Sequence, residues 1–208
     1  VSEGNLWILV ADFTGHGYIA HLLASGLQYI WRMRRIAQLR NGCCTPVELL
    51  SALGRELEAV LPDEVFVEAV LGLFSRDGRV FLVGAGCCSV AVRRRREPGI
   101  ELHEFGGYYL GIEQGERDQR ALALEVGDEV LLASDGLYEQ PCGENRMLKA
   151  DLPRRLGPCL APGRELHDAI LEILTEVLEA CSQQDDITVV TVSHCATSSQ
   201  RGNGRVAV

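Results

Sequence analysis

The stretch EVLLASDGLYE, residues 129–139, decides the fold. Its apolar run, Val130 to Ala133, has the length of a buried strand, and Ser134-Asp135-Gly136 supplies the turn that ends it. Just upstream, RALALEV (120–126) and Gly127-Asp128 read as a hairpin partner and its turn. The same design opens the chain. In LVADFTGHG (9–17), Asp12 stands directly behind the apolar strand Leu6 to Ala11 and directly ahead of a glycine-rich turn. A carboxylate at the end of a buried strand is costly to desolvate unless a cation meets it. A third acidic strand end runs the other way: in QQDDITVVTV (183–192), Asp185-Asp186 precede the strand of residues 187–192.

The remaining elements follow from period and punctuation. After Gly17, apolar residues recur at Ile19, Leu22, Leu23, Leu27, Ile30, Met33 and Ile36, a helical spacing that Asn41-Gly42 stops. In TPVE (45–48), Thr45 is the N-cap of a second helix, Pro46 its first residue and Glu48 the capping-box partner; it runs to about Leu61, with Pro62 closing it. VFVEAVLGLF (65–74) and RVFLVGAG (79–86) form a hairpin around residues 75–78, and SVAVRRR (89–95) and IELHEF (100–105) form another around Glu97-Pro98-Gly99. A further helix spans about Arg164 to Cys181. These elements predict an α+β fold with two packed, mainly antiparallel sheets flanked by helices. Residues 1–194 are expected to form the domain, and the Ser, Gly, Asn and Arg-rich residues 195–208 a flexible tail.

Composition narrows the function. At 47% hydrophobic and 24% charged over 208 residues, the chain is globular with a sizeable core. A net charge of −9 argues against general nucleic-acid binding, which needs basic surface. No apolar run approaches the roughly 20 residues of a membrane helix, and no signal peptide heads the sequence, so this segment is expected to be cytoplasmic, without membrane insertion. The eight cysteines show no C-x-x-C spacing and read as reduced thiols.

If the third acidic strand runs antiparallel to the other two, Asp12, Asp135 and Asp185-Asp186 gather on one sheet edge. Like charges so placed repel without a counter-ion, and a hard divalent cation, Mg2+ or Mn2+, suits carboxylate, carbonyl and water oxygens. The plain alternative is that each Asp-Gly is only a turn, as Gly127-Asp128 is expected to be. Three similar strand ends favour the metal.

In order and spacing, VADFTGHG (10–17), LALEVGDEVLLASDGLYE (122–139) and DDITVVTV (185–192) resemble the successive signatures of the metal-dependent protein phosphatases. VFLVGAG (80–86) and GGYYLGIEQG (106–115) resemble the middle region of one branch, the stage II sporulation protein E-like proteins with the sigma-factor regulatory phosphatases. The resemblance spans about residues 5–193. It implies two Mn2+ or Mg2+ ions bridged by a water that attacks phosphoserine or phosphothreonine directly. It also implies roles for particular residues: Asp12 bridging the ions, the Phe13 carbonyl as a ligand, Asp135 and Asp185 binding metal, and Asp186 supporting them or binding too. The implied substrate is a phosphorylated bacterial regulatory protein such as an anti-sigma-factor antagonist, and an upstream sensor domain is compatible with the branch.

Two departures qualify the resemblance. The branch carries a Gly-Gly-Asp motif ahead of the first strand pair, whereas here Glu3 is the one acid before Asp12. Either the segment begins downstream of that motif or the protein lacks it, which puts the second metal in question. In addition, GAGCC (84–88) has cysteine where relatives often have histidine. A phosphatase-fold interaction module without efficient turnover is therefore the rival reading. His16 is a candidate general acid by chemistry, but it lies four residues past Asp12, where a helix should be starting. Arg93 to Arg96 read as a solvated hairpin edge rather than a phosphate site.

Overall fold

The structure, a computed structural model, describes residues 4–15, 18–41, 44–97, 99–112, 115–143, 147–160, 163–196 and 206–207. The chain forms two compact units, Val1–Cys88 with Phe105–Leu122, and Ser89–Glu104 with Ala123–Val208. Each is built on its own antiparallel sheet, and the fold class is α+β.

In the first unit, β1 (Leu6–Phe13), β2 (Val67–Phe74), β3 (Arg79–Ala85) and β6 (Gln119–Ala123) lie in the order β1-β2-β3-β6. The β1–β2 ladder runs in register from Leu6↔Phe74 to Phe13↔Val67. Helices α1 (Tyr18–Asn41) and α2 (Pro46–Glu58) cover one face, where Leu27, Leu49, Leu50, Leu53 and Leu57 pack with Phe13, Ala69, Leu71, Val83 and Ala85. The α2 start is as the sequence predicts. The Glu48 N–H donates to Thr45 Oγ1 at 3.2 Å, and the Thr45 N–H donates to Glu48 Oε2 at 2.8 Å. These bonds satisfy two of the orphan donors at the helix N-terminus. Thr45→Ala is expected to lower the thermal midpoint by about 2–4 °C, checked by thermal melting beside the wild type.

In the second unit, β4 (Ser89–Arg93), β5 (Glu101–Glu104), β7 (Glu129–Ala133), β8 (Val189–Ser193) and the two-residue β9 (Val206–Ala207) lie in the order β5-β4-β7-β8-β9. Every residue of the central strand β7 is buried. The short α3 (Asp135–Tyr138), α4 (Leu148–Cys159) and α5 (Leu166–Ala180) bury Leu137, Leu148, Leu152, Leu156, Leu166, Ile170 and Ile173 against Ala91, Leu131 and Ala133. The sequence reading missed α4 because Pro153 and Pro158 lie inside it. Its Leu148, Leu152 and Leu156 recur every fourth residue and are completely buried, and this apolar stripe holds the helix in spite of the prolines.

Several expectations are corrected here. RALALEV and EVLLAS are not a hairpin: β6 belongs to the sheet of the first unit, while β7 is flanked by β4 and β8 in the second. Gly127-Asp128 is a turn as expected, with Gly127 at φ +96°, but it passes the chain from one sheet to the other. Nor are Arg93 and Arg94 a solvated edge. Strand β4 is internal, Arg93 pairs with Glu129 at 2.7 Å, and Arg94 pairs with Asp128 at 3.1 Å and Glu101 at 3.0 Å. Burial alone would raise the Asp128 carboxyl, but the Arg95 and Glu125 N–H donors and the Arg94 guanidinium outweigh it and hold its pKa below the usual range. Cys87, Cys88, Cys142, Cys159, Cys181 and Cys195 form no disulfide.

Candidate metal site

The first unit presents Asp12 within strand β1, not after it, because the ladder continues through Phe13. Asp12 lies directly opposite Glu68 of β2, so the two side chains leave the same face of the sheet. That face is the one away from Phe13, Ala69 and Leu71, which meet α1 and α2. Two carboxylates so placed repel unless a cation or proton lies between them. Glu68 is oriented by the Cys87 N–H, which donates to its Oε2 at 3.2 Å. The sequence could not reveal Glu68, since only the strand register brings it to Asp12. The Phe13 backbone is also informative. Val67, opposite it, gives its N–H and C=O to Leu110, both at 2.9 Å, so the Phe13 carbonyl faces away from β2.

In the second unit the antiparallel pairing of β7 and β8, with Ala133↔Val189, brings the end of one strand beside the start of the other, as the sequence reading requires of Asp135 and Asp185-Asp186. Ser134 fastens the two segments. Its Oγ donates to the Asp186 carbonyl at 3.1 Å and accepts the Thr188 N–H at 3.0 Å, while its own N–H donates to the Thr188 carbonyl at 3.1 Å. Gly136 shows how close the approach is, because a Cβ there would lie 2.3 Å from the Asp186 carbonyl oxygen. The Asp186 N–H donates to Asp185 Oδ1 at 2.7 Å, and both aspartates are exposed.

Asp135 itself begins α3, and its Oδ1 is buried with no hydrogen-bond partner among the described residues. An orphaned buried carboxylate oxygen is costly, and a hard cation is the ligand that matches it. Oxygen donors from carboxylate and carbonyl suit magnesium or manganese, and the glycine beside the acid leaves room for close backbone approach. Among the described residues, no three His, Cys, Asp or Glu side chains form a ready-made metal cluster. Asp12 lies in a strand of one sheet and Asp135 follows a strand of the other, so the two do not share the single sheet edge expected from the sequence. His16 lies outside the described residues.

Gly136→Ala follows directly from this geometry. The added methyl meets backbone rather than a flexible side chain, so either α3 or the Asp185-Asp186 segment must shift. The variant is expected to lose about 1–3 kcal/mol of stability and to bind manganese more weakly, read by urea titration and calorimetry. Unchanged values in both would show the approach to be looser than described.

Two antiparallel sheets, each with its own helices, are the fold shared with the PP2C-type phosphatase domains among the similar solved structures. The chain belongs to the stage II sporulation protein E (SpoIIE) family, whose model matches residues 2–194. A search of curated proteins finds no match. Similar solved structures include the RsbU and RsbW domains of a Mycobacterium tuberculosis protein, with TM-score 0.76, 25% identity and 94% of this chain covered against 54% of that one. The phosphatase domain of SpoIIE with a fragment of its regulatory domain, from Bacillus subtilis, aligns with TM-score 0.71 and 16% identity over 91% of this chain and 58% of that one. The SiaA-PP2C domain of Pseudomonas aeruginosa aligns with TM-score 0.64 and 20% identity over 90% and 79%. The chain thus spans little more than half the length of the first two.

Proposed function

We propose that the chain is a metal-dependent protein serine/threonine phosphatase acting on a phosphorylated regulatory protein, with an anti-sigma-factor antagonist as the substrate type. The observation that supports this most is the buried Asp135 Oδ1, without a hydrogen-bond partner among the described residues, within the stretch that the family model matches. Asp12, the Phe13 carbonyl, Asp135 and Asp185 would hold Mn2+ or Mg2+, with Asp186 beside Asp185. When bound, such ions supply a water of lowered pKa and neutralise charge on the phosphoryl group.

The chain's own contribution is positional. Ser134 fixes the Asp135 and Asp186 segments relative to each other. Gly136 lets them touch, and the Asp186 N–H steadies Asp185 Oδ1. The Cys87 N–H steadies Glu68, opposite Asp12. The domain is taken as residues 1–194, with 195–208 as its tail, working in the cytoplasm under the control of an attached sensor. The RsbU and RsbW domains joined in one similar chain support the regulatory setting.

The test is manganese-dependent hydrolysis of a phosphoserine peptide. Turnover is expected to require manganese and to fall roughly 10²-fold or more in Asp12→Ala. Metal-independent turnover, or full activity in Asp12→Ala, contradicts the proposal. No turnover from a chain folded by circular dichroism supports the rival interaction module instead.

A further inference from the structure

Arg117 of the first unit is 8% exposed, and its Nε and Nη2 have no hydrogen-bond partner among the described residues. Its Nη1 donates to the Tyr108 carbonyl at 2.7 Å. Burial pushes the guanidinium below its usual pKa range. A buried cation with two donors unmade is costly and needs a reason.

The geometry supplies one. Nε and Nη2 lie on the same edge of the guanidinium, the edge that meets a carboxylate or phosphate with two parallel bonds. The anchored Nη1 lies on the other side and holds the plane still. Gly107 and Gly111 hold φ of +122° and +89°, and the Tyr108 ring rests on Gly115, where a Cβ would lie 2.1 Å from it. Tyr108 is 45% exposed.

We propose that Arg117 is an oxyanion receptor: its Nε–Nη2 edge takes a phosphate ester or carboxylate of a protein partner when the Tyr108 ring swings off Gly115, the Tyr108 carbonyl still holding Nη1. The site uses none of the aspartates assigned to metal, so it can be tested with metal removed. The thermal midpoint is followed in EDTA against inorganic phosphate and against acetate, at constant ionic strength, for the wild type, Arg117→Lys and Arg117→Met.

The wild-type midpoint is expected to rise with anion. Arg117→Met should not respond, yet should be no less stable than the wild type without anion, because an apolar side chain replaces an unpaired buried cation. Arg117→Lys keeps the charge without the two-donor edge and should bind roughly tenfold more weakly or worse. A response to phosphate alone assigns the site to a phosphoryl group, and a response to acetate as well assigns it to carboxylates. The proposal is overturned if the wild type responds to neither, or if Arg117→Met responds as the wild type does. If Arg117→Met does not fold, the Arg117 Nε–H resonance, identified by its loss in Arg117→Lys, must move on adding anion to the wild type; a fixed resonance overturns the proposal equally.

Discussion

Asp135→Asn is expected to reduce manganese-dependent phosphoserine hydrolysis by roughly 10²-fold or more and to weaken manganese binding, while leaving the metal-free protein as stable as the wild type or slightly more so. The combination is what distinguishes a ligand from a structural acid. Ser134, not the Asp135 side chain, makes the bonds that join β7 to the start of β8, so removing the Asp135 charge breaks none of the described hydrogen bonds. The buried Oδ1 has no hydrogen-bond partner among the described residues, so the amide loses none there. Calorimetry with manganese and a melt in EDTA test the two halves separately. Unchanged metal affinity would remove Asp135 from the site, and a large loss of metal-free stability would make it a structural residue.

The largest effect on stability is expected at the opposite end of the same strand. Glu129 opens β7, pairs with Arg93 at 2.7 Å, and accepts the Leu166 N–H of α5 at 3.1 Å and the Ser193 hydroxyl at 3.3 Å. The side chains of the ion pair are only 13% and 7% exposed. Glu129→Ala leaves Arg93 buried with the Arg164 carbonyl as its remaining described acceptor, and leaves the first turn of α5 without its cap. Breaking a buried pair from one side costs about 3–5 kcal/mol. The measurement is urea unfolding, with the midpoint falling and the slope unchanged. Glu129→Gln keeps the acceptor oxygen and should lose less. A loss below about 1 kcal/mol in Glu129→Ala would mean the pair contributes no more than a surface ion pair.

The candidate acidic residues were legible before any coordinates. Asp12, Asp135 and Asp185-Asp186 were marked by charge at the ends of apolar runs, and that signal is local. The same holds for the α2 cap, for the β2–β3 and β4–β5 hairpins, and for the end-to-start meeting of Asp135 with Asp185-Asp186. Glu68 and Arg117 were not legible. Nothing around either residue departs from an ordinary strand or loop, and each gains meaning only from what lies across from it. Arg93 and Arg94 were misread for the same reason: a charge run looks solvated until its strand is found between two others.

The sequence by itself determined most of the strands and helices, α4 excepted, and where most of them stop, because periodicity and capping act over a few residues. It did not determine which strand pairs with which. RALALEV and EVLLAS have ideal hairpin spacing, yet their partners lie in different sheets. Strand pairing is settled by burial across the sheet: β7, buried along its whole length, takes β4 and β8 on its two sides, while the largely exposed β6 remains at an edge of the other sheet. Only the tertiary structure could decide this, since the free energy of burying β7 comes from residues dozens of positions away.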